Sequence, residues 1–198
     1  MPAIDAFQVV RDFEAALCEY TGATYAVTTT SCTQALLMAC AYFDGYGRLV
    51  TIPKRTYGGV AASIINAGYY VDFRKEEWSG EYELRPLPVW DCARRFTSAM
   101  YRAGLMQCVS FHTSKILGDT QGGAILHDNP EADAWLRRAR FDGRTEGNPN
   151  APIQYPSWHA YMSTDVAARL LWKLSWLPRH NPDLPNSDYP DLSLIEAF

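Results

Sequence analysis

The stretch Tyr25-Ala-Val-Thr-Thr-Thr-Ser-Cys-Thr-Gln-Ala-Leu-Leu-Met-Ala-Cys-Ala-Tyr-Phe43 decides the fold. Its first six residues are β-rich and read as a strand. Ser31-Cys32-Thr33 places hydroxyls where a helix N-cap belongs, and Gln34 to Phe43 is a strongly apolar helix. A strand that enters a helix through a hydroxyl-bearing turn is the unit from which α/β layers are built.

Outward from that unit, the same alternation continues. On the N-terminal side, Val10, Phe13, Leu17 and Tyr20 recur at three- and four-residue steps, predicting a helix over 4–20 that Gly22 closes. On the C-terminal side, strands are expected at 49–52, stopped by Pro53, and at 69–73, 87–91, 106–111 and 123–127. Helices are expected at 57–67, ended by Gly68, at 131–140, and at 164–176 with Val166, Leu170, Leu174 and Leu177 on one face. Strands alternating with helices predict an α/β three-layer sandwich with a mainly parallel sheet. Residues 1–178 read as one globular domain. Residues 179–198, rich in proline and acids, read as an extended tail over the surface or a partner.

Composition narrows the functional classes. In 198 residues, 47% are apolar and 20% charged, enough for a sizeable core and too little charge for a disordered chain. The formal net charge of -4 argues against a general nucleic-acid or anionic-membrane binder, since phosphate binding rests on clustered cations. No apolar run approaches the roughly 20 residues of a bilayer span, and the N-terminus lacks the basic region of a signal peptide. The five cysteines at 18, 32, 40, 92 and 108 are odd in number and form no CxxC, so neither a disulfide framework nor a zinc site is expected; a reducing cytoplasm is. GxxxxGK[ST], a strand-borne GxGxxG and GxSxG are absent. The histidines at 112, 127, 159 and 180 make no HExxH, so no metal is expected.

Three features remain, each at the C-terminal end of an expected strand, where ligands bind in open α/β sheets. Ser31-Cys-Thr33 opens a helix and reads either as an anion site or as an ordinary cap. Asp91 ends the apolar strand Pro-Val-Trp-Asp, and a carboxylate there needs a cation, either a ligand's or that of Arg94 or Arg95. Ser110-Phe-His-Thr-Ser-Lys115 leaves another strand and carries a lysine that a dry or cationic pocket would turn into a nucleophile.

Together and in this order, these segments resemble the DegT/DnrJ/EryC1/StrS aminotransferases, pyridoxal phosphate (PLP) enzymes of fold type I that mostly aminate keto sugars on nucleotide carriers. The resemblance runs from about residue 9 to 177. It rests on Ser-Cys-Thr-Gln-Ala-Leu, Thr56-Tyr57, Asp91-Cys-Ala-Arg94, Ser110 to Lys115, Gly122-Gly-Ala124, Arg138 to Gly143 and the Met162-Ser163 helix. It implies the large domain of that fold alone. It further implies that Lys115 holds PLP as a Schiff base and shuttles the proton, and that Asp91 pairs with the pyridine nitrogen. Cys32, Thr33 and Ser110 would bind the phosphate, and Tyr57 would stack on the ring. Dehydratases of this fold have histidine in place of the lysine, so Lys115 favours amino transfer.

Two positions depart from the family pattern. Arg94 stands where glutamine or histidine is usual, either stabilising the cofactor's phenolate or pairing with Asp91. His159 stands where an asparagine usually reaches the neighbouring subunit's phosphate. The expected reaction moves an amino group from a glutamate-like donor to a keto acceptor, a nucleotide-linked keto sugar by analogy. Alternatives are a transaminase of small amino and keto acids, and a degenerate PLP-binding or interaction protein. A water-poor site without a further covering domain implies a homodimer with shared active sites, the tail and the His159 region lying across the partner.

Overall fold

The computed structural model describes residues 5–44, 48–148 and 150–198. Helix α1 is Gln8–Thr21, strand β1 Tyr25–Thr29, α2 Cys32–Tyr42, β2 Leu49–Pro53, α3 Gly58–Asn66 and β3 Tyr70–Arg74. Then come β4 Tyr82–Glu83, β5 Val89–Asp91, β6 Met106–Ser110, β7 Gly123–His127, α4 Pro130–Ala139 and α5 Thr164–Leu174. Helix α1 starts later than its apolar spacing predicts, and Ile4 lies outside the described residues. It ends as expected, Gly22 taking a φ of 83° and returning its N–H to the Cys18 carbonyl. Ser31 caps α2, its Oγ accepting from the Gln34 N–H at 3.2 Å.

The main sheet has the order β1-β7-β6-β5-β4, and β2 and β3 form a separate parallel pair. Within the main sheet only β5 and β6 run parallel; β1–β7, β6–β7 and β4–β5 are antiparallel. The mainly parallel sheet expected from the sequence is therefore a mixed one. The cause lies in segment 111–122, which carries no helix: without a crossover the chain returns beside β6 in the opposite direction. Thr51 and Arg85 link the two sheets by exchanging backbone hydrogen bonds of 2.8 and 3.1 Å.

Period-two alternation along the strands gives the sheet an apolar core on each face. Val27, Cys108 and Ile125 point into one, with Leu36 and Met38 of α2, Val60 and Ile64 of α3 and Leu136 of α4. Ala26, Val109, Ala124 and Leu126 point into the other, with Val10, Phe13 and Leu17 of α1 and Val166, Leu170 and Leu174 of α5. A fully buried Phe13 or Leu17 contributes about 1.5–3 kcal/mol. All five cysteines are free thiols. Among the described residues no helix is long and apolar enough to cross a membrane.

His127, at the end of β7, is buried against Tyr25 with neither ring nitrogen hydrogen-bonded; Asp133 lies 3.7 Å away. Burial lowers its pKa below the ordinary 6.5, against the opposing pull of Asp133. The unfolded chain then binds the proton more readily, so stability is complete above that ordinary value and is lost as pH falls through it. Thermal melts at a series of pH values from about 8 to 5 should show this decline, and His127→Leu should flatten it. An equal slope in the variant would assign the decline to other groups.

Beyond α5 the chain is extended up to a short 3-10 turn at Leu192–Leu194. It is fastened over the surface of its own chain, one of the two courses expected for it. Asn181 Nδ2 donates to the Tyr20 hydroxyl at 2.8 Å, Leu184 N–H to the Arg94 carbonyl at 2.9 Å, and Leu192 N–H to the Lys54 carbonyl at 2.8 Å. Lys54 and Asp191 form an ion pair at 2.5 Å. Leu192 is buried in the core of α2 and α3, and Phe198 packs beside Phe73. Those apolar side chains find their burial within one chain, which is why the tail stays on it.

Candidate active site

One cavity of about 350 Å³ lies at the N-terminus of α2 and the C-terminal ends of β5 and β6. Cys32, Thr33, Tyr57, Asp91, Arg94, Ser110 and Lys115 all line it. Seven of the eight site residues expected from the sequence thus come from four separated segments into one space. His159 does not: it is exposed, donates through Nδ1 to the Asp142 carboxylate at 2.9 Å, and packs on Tyr161.

The floor is made by a close approach of two backbones. A Cβ on Gly123 would stand 2.4 Å from the Cys32 nitrogen, so only glycine lets β7 begin against the first turn of α2. The free N–H groups of that turn, beside the Thr33 hydroxyl, form an anion-binding end. Burial pushes the Cys32 thiol well above its ordinary pKa, so it remains neutral beside that end.

Lys115 sits in a tight turn after β6, its N–H bonded to the His112 carbonyl at 2.8 Å. Gly118 closes this turn; a Cβ there would meet the Thr113 carbonyl at 2.7 Å. Helix α5 holds the turn from below. Lys173 Nζ donates to the Gly118 carbonyl at 2.7 Å and to Asp119 at 2.8 Å, and Arg169 Nε donates to Asp119 at 2.9 Å. The Arg169 hydrogen bond, ahead of the opposing burial and the Lys173 bond, drives the Asp119 carboxyl far below its ordinary range.

Asp91 is only 5% exposed. Its Oδ2 accepts from the Tyr82 hydroxyl at 2.9 Å and its Oδ1 from the Ala93 N–H at 2.9 Å; Thr56 Oγ1 lies 2.6 Å from the same tyrosine oxygen. Burial raises its pKa, opposed by those two hydrogen bonds and by the charges of Lys115 and Arg94. Arg94 does not pair with Asp91: its terminal nitrogens reach the tail, Nη1 to Ser187 Oγ at 2.8 Å and to the Tyr189 hydroxyl at 3.2 Å, and Nη2 to the Pro185 carbonyl. Arg95 turns instead to Asp183 at 3.3 Å and Glu81. Asp91 is therefore a buried carboxylate without a cationic partner at salt-bridge distance among the described residues, and its neighbourhood favours a bound cation. Tyr57, at the N-cap of α3, is 59% exposed at the cavity edge.

Sequence reasoning missed Tyr82, which orients Asp91, because a two-residue strand carries no periodic signal. It also missed Ser187 and Tyr189, which line the cavity from the tail.

An anion end, a buried acceptor for a cation and a lysine share one space, which suits a cofactor bearing a phosphate, a protonated ring nitrogen and a carbonyl. Residues 4–81 match the model of the DegT/DnrJ/EryC1/StrS aminotransferase family. No curated protein matches the sequence. Among solved structures, a DegT DnrJ EryC1 StrS aminotransferase from Brucella abortus is similar at a TM-score of 0.73 and 21% identity, over 86% of this chain and 59% of that one. NtdA from Bacillus subtilis, with bound cofactor PMP, is similar at 0.70 and 16%, over 85% and 48%. GDP-4-keto-6-deoxymannose-3-dehydratase with a trapped PLP-glutamate geminal diamine is similar at 0.71 and 17%, over 86% and 61%. The chain thus spans about half to three fifths of the length of these structures. Over residues 4–81 the sequence is similar to the DegT/DnrJ/EryC1/StrS aminotransferase family, and over most of its length the chain shares the fold of these structures.

Proposed function

We propose that this protein is a PLP-dependent aminotransferase, taking the amino group from an amino acid such as glutamate and passing it to a keto acceptor. The observation that carries the reading is the convergence of Lys115, Asp91 and the N-terminus of α2 on one cavity. The donor's amine and two electrons pass to the acceptor; the donor carbon takes its new carbonyl oxygen from water and the acceptor's oxygen leaves as water, so no outside oxidant is needed.

Bound PLP supplies an electron sink for the negative charge that develops on the donor carbon. Thr33, Cys32 and Ser110 would hold its phosphate, Asp91 its ring nitrogen, Tyr57 its ring edge or face, and Lys115 its carbonyl carbon. Asp91, kept dry and oriented by Tyr82, holds a proton on the ring nitrogen by its negative charge. Lys115, fixed by the α5 clamp, moves the proton at the donor carbon through Nζ. The fit of these groups favours catalysis over a degenerate binding role. A homodimer with shared sites belongs to the same reading, because the exposed His159 would serve a second copy's cavity and not its own.

Protein reconstituted with PLP should absorb in the visible, and excess glutamate should convert that absorbance to the pyridoxamine form. Absence of cofactor binding would refute the assignment. The nucleotide-linked keto sugar rests on the resemblance; the second reading, a small keto acid, is favoured by Ser187 and Tyr189 of the tail standing at the cavity.

A further inference from the structure

We propose that Ser187 and Tyr189 form the carboxylate-recognition element of the cavity, held by Arg94, and that the tail restricts this site to small amino and keto acids. The proposal rests on the amino-transfer reading above and adds its substrate class. Both hydroxyls line the cavity. Each accepts a hydrogen bond from Arg94 Nη1, at 2.8 and 3.2 Å. A hydroxyl that accepts from a guanidinium keeps its own proton for another acceptor, and the neighbouring cation strengthens it as a donor. Two such donors beside a guanidinium suit a carboxylate. The Arg94 Nε is itself buried without a hydrogen-bond partner, so the cation retains unmet donor capacity.

The placement of the tail is specified by several independent fastenings. Arg94 holds it through both its carbonyl, to Leu184 N–H, and its guanidinium. Trp78 stacks on Tyr189 with ring centroids 6.3 Å apart and an interplanar angle of 16°. Arg55 Nη1 donates to the Tyr189 carbonyl at 3.1 Å, and Leu192 is buried just beyond. With the tail in place the cavity measures about 350 Å³, near the bottom of the roughly 300–1,000 Å³ range of small-molecule sites. The cofactor takes much of that volume. What is left admits an amino acid, whereas a nucleoside diphosphate carrier would have to displace the tail.

The test uses the full chain, with and without PLP. Conversion of the bound cofactor is followed with L-glutamate, L-alanine and a nucleoside diphosphate-linked amino sugar as donors. The expected result is that the amino acids react at least about tenfold faster than the linked sugar. Tyr189→Phe and Ser187→Ala should each raise the half-saturating amino-acid concentration about tenfold while leaving the cofactor absorbance and the maximal rate nearly unchanged. Unchanged half-saturation in both variants, or a linked sugar that outruns the amino acids, would overturn the proposal. Amide hydrogen exchange supplies a readout independent of catalysis. Leu184 and Leu192 amides should be protected in the wild-type chain, and Arg94→Ala should release Leu184. Rapid exchange of both amides in the wild type would overturn the proposal even for an active enzyme. Failure to bind PLP would instead strike the amino-transfer reading, with the exchange experiment still deciding whether the tail is seated.

Discussion

Lys115→Ala is expected to abolish the visible absorbance of the PLP-reconstituted protein and any borohydride-fixed mass gain at that position, and to lower amino transfer by about 10²–10⁴-fold or more. Both effects trace to one amine, which in the proposed reaction would hold the cofactor's carbonyl carbon and move the substrate proton. The fold should be untouched. The N–H at 115 that bonds His112 is a backbone group that alanine retains, and the turn is secured by Gly118, Asp119, Arg169 and Lys173. An unchanged melting temperature with no absorbance is therefore the expected pair of results. Retained absorbance and rate in Lys115→Ala would remove the residue from the chemistry.

For stability, the largest expected loss follows from Glu14→Ala. Glu14, only 3% exposed on α1, accepts from the Thr28 N–H at 2.9 Å and its hydroxyl at 2.8 Å, from Arg137 at 2.6 Å, and from Arg140. Burial pushes its pKa up, but the charges and hydrogen bonds of Arg140 and Arg137 outweigh it and hold the carboxyl below the ordinary 4.5. Arg140 is itself buried and bonded to the Thr28 carbonyl. Removing the carboxylate strands that guanidinium in the interior, a change that costs about 3–5 kcal/mol. The melting temperature should then fall on the order of 10 °C. Because the folded pKa is depressed, this contribution is complete above about pH 4.5 and is lost as pH falls through the lower folded value. Urea melts giving a loss below about 1 kcal/mol would show that water reaches the arginine.

Local signals in the sequence carried most of the helices and strands. Val10, Phe13 and Leu17 show their helical spacing because one face of α1 is buried, and Ser31 announces its cap through its own hydroxyl. Cys32 and Thr33, Asp91, and Ser110 with Lys115 were legible as segments leaving the ends of expected strands, whereas Tyr57 and Arg94 entered only through the family resemblance. The direction of β7 was not legible, since it depends on whether segment 111–122 folds as a crossover, and its residues obey no period. Nor was the partner of Asp91. The phenol that holds it comes from a strand of two residues, and the arginine beside it in sequence turns outward to the tail. Tail residues are read as loop by composition, and long-range contacts, from the Arg94 hydrogen bonds to the burial of Leu192, fix where they go.

Ser187 and Tyr189 follow every other lining residue in the order of synthesis. A ribosome therefore delivers the floor and walls of the chamber before its roof, and domains acquire structure from the N-terminal end as they emerge.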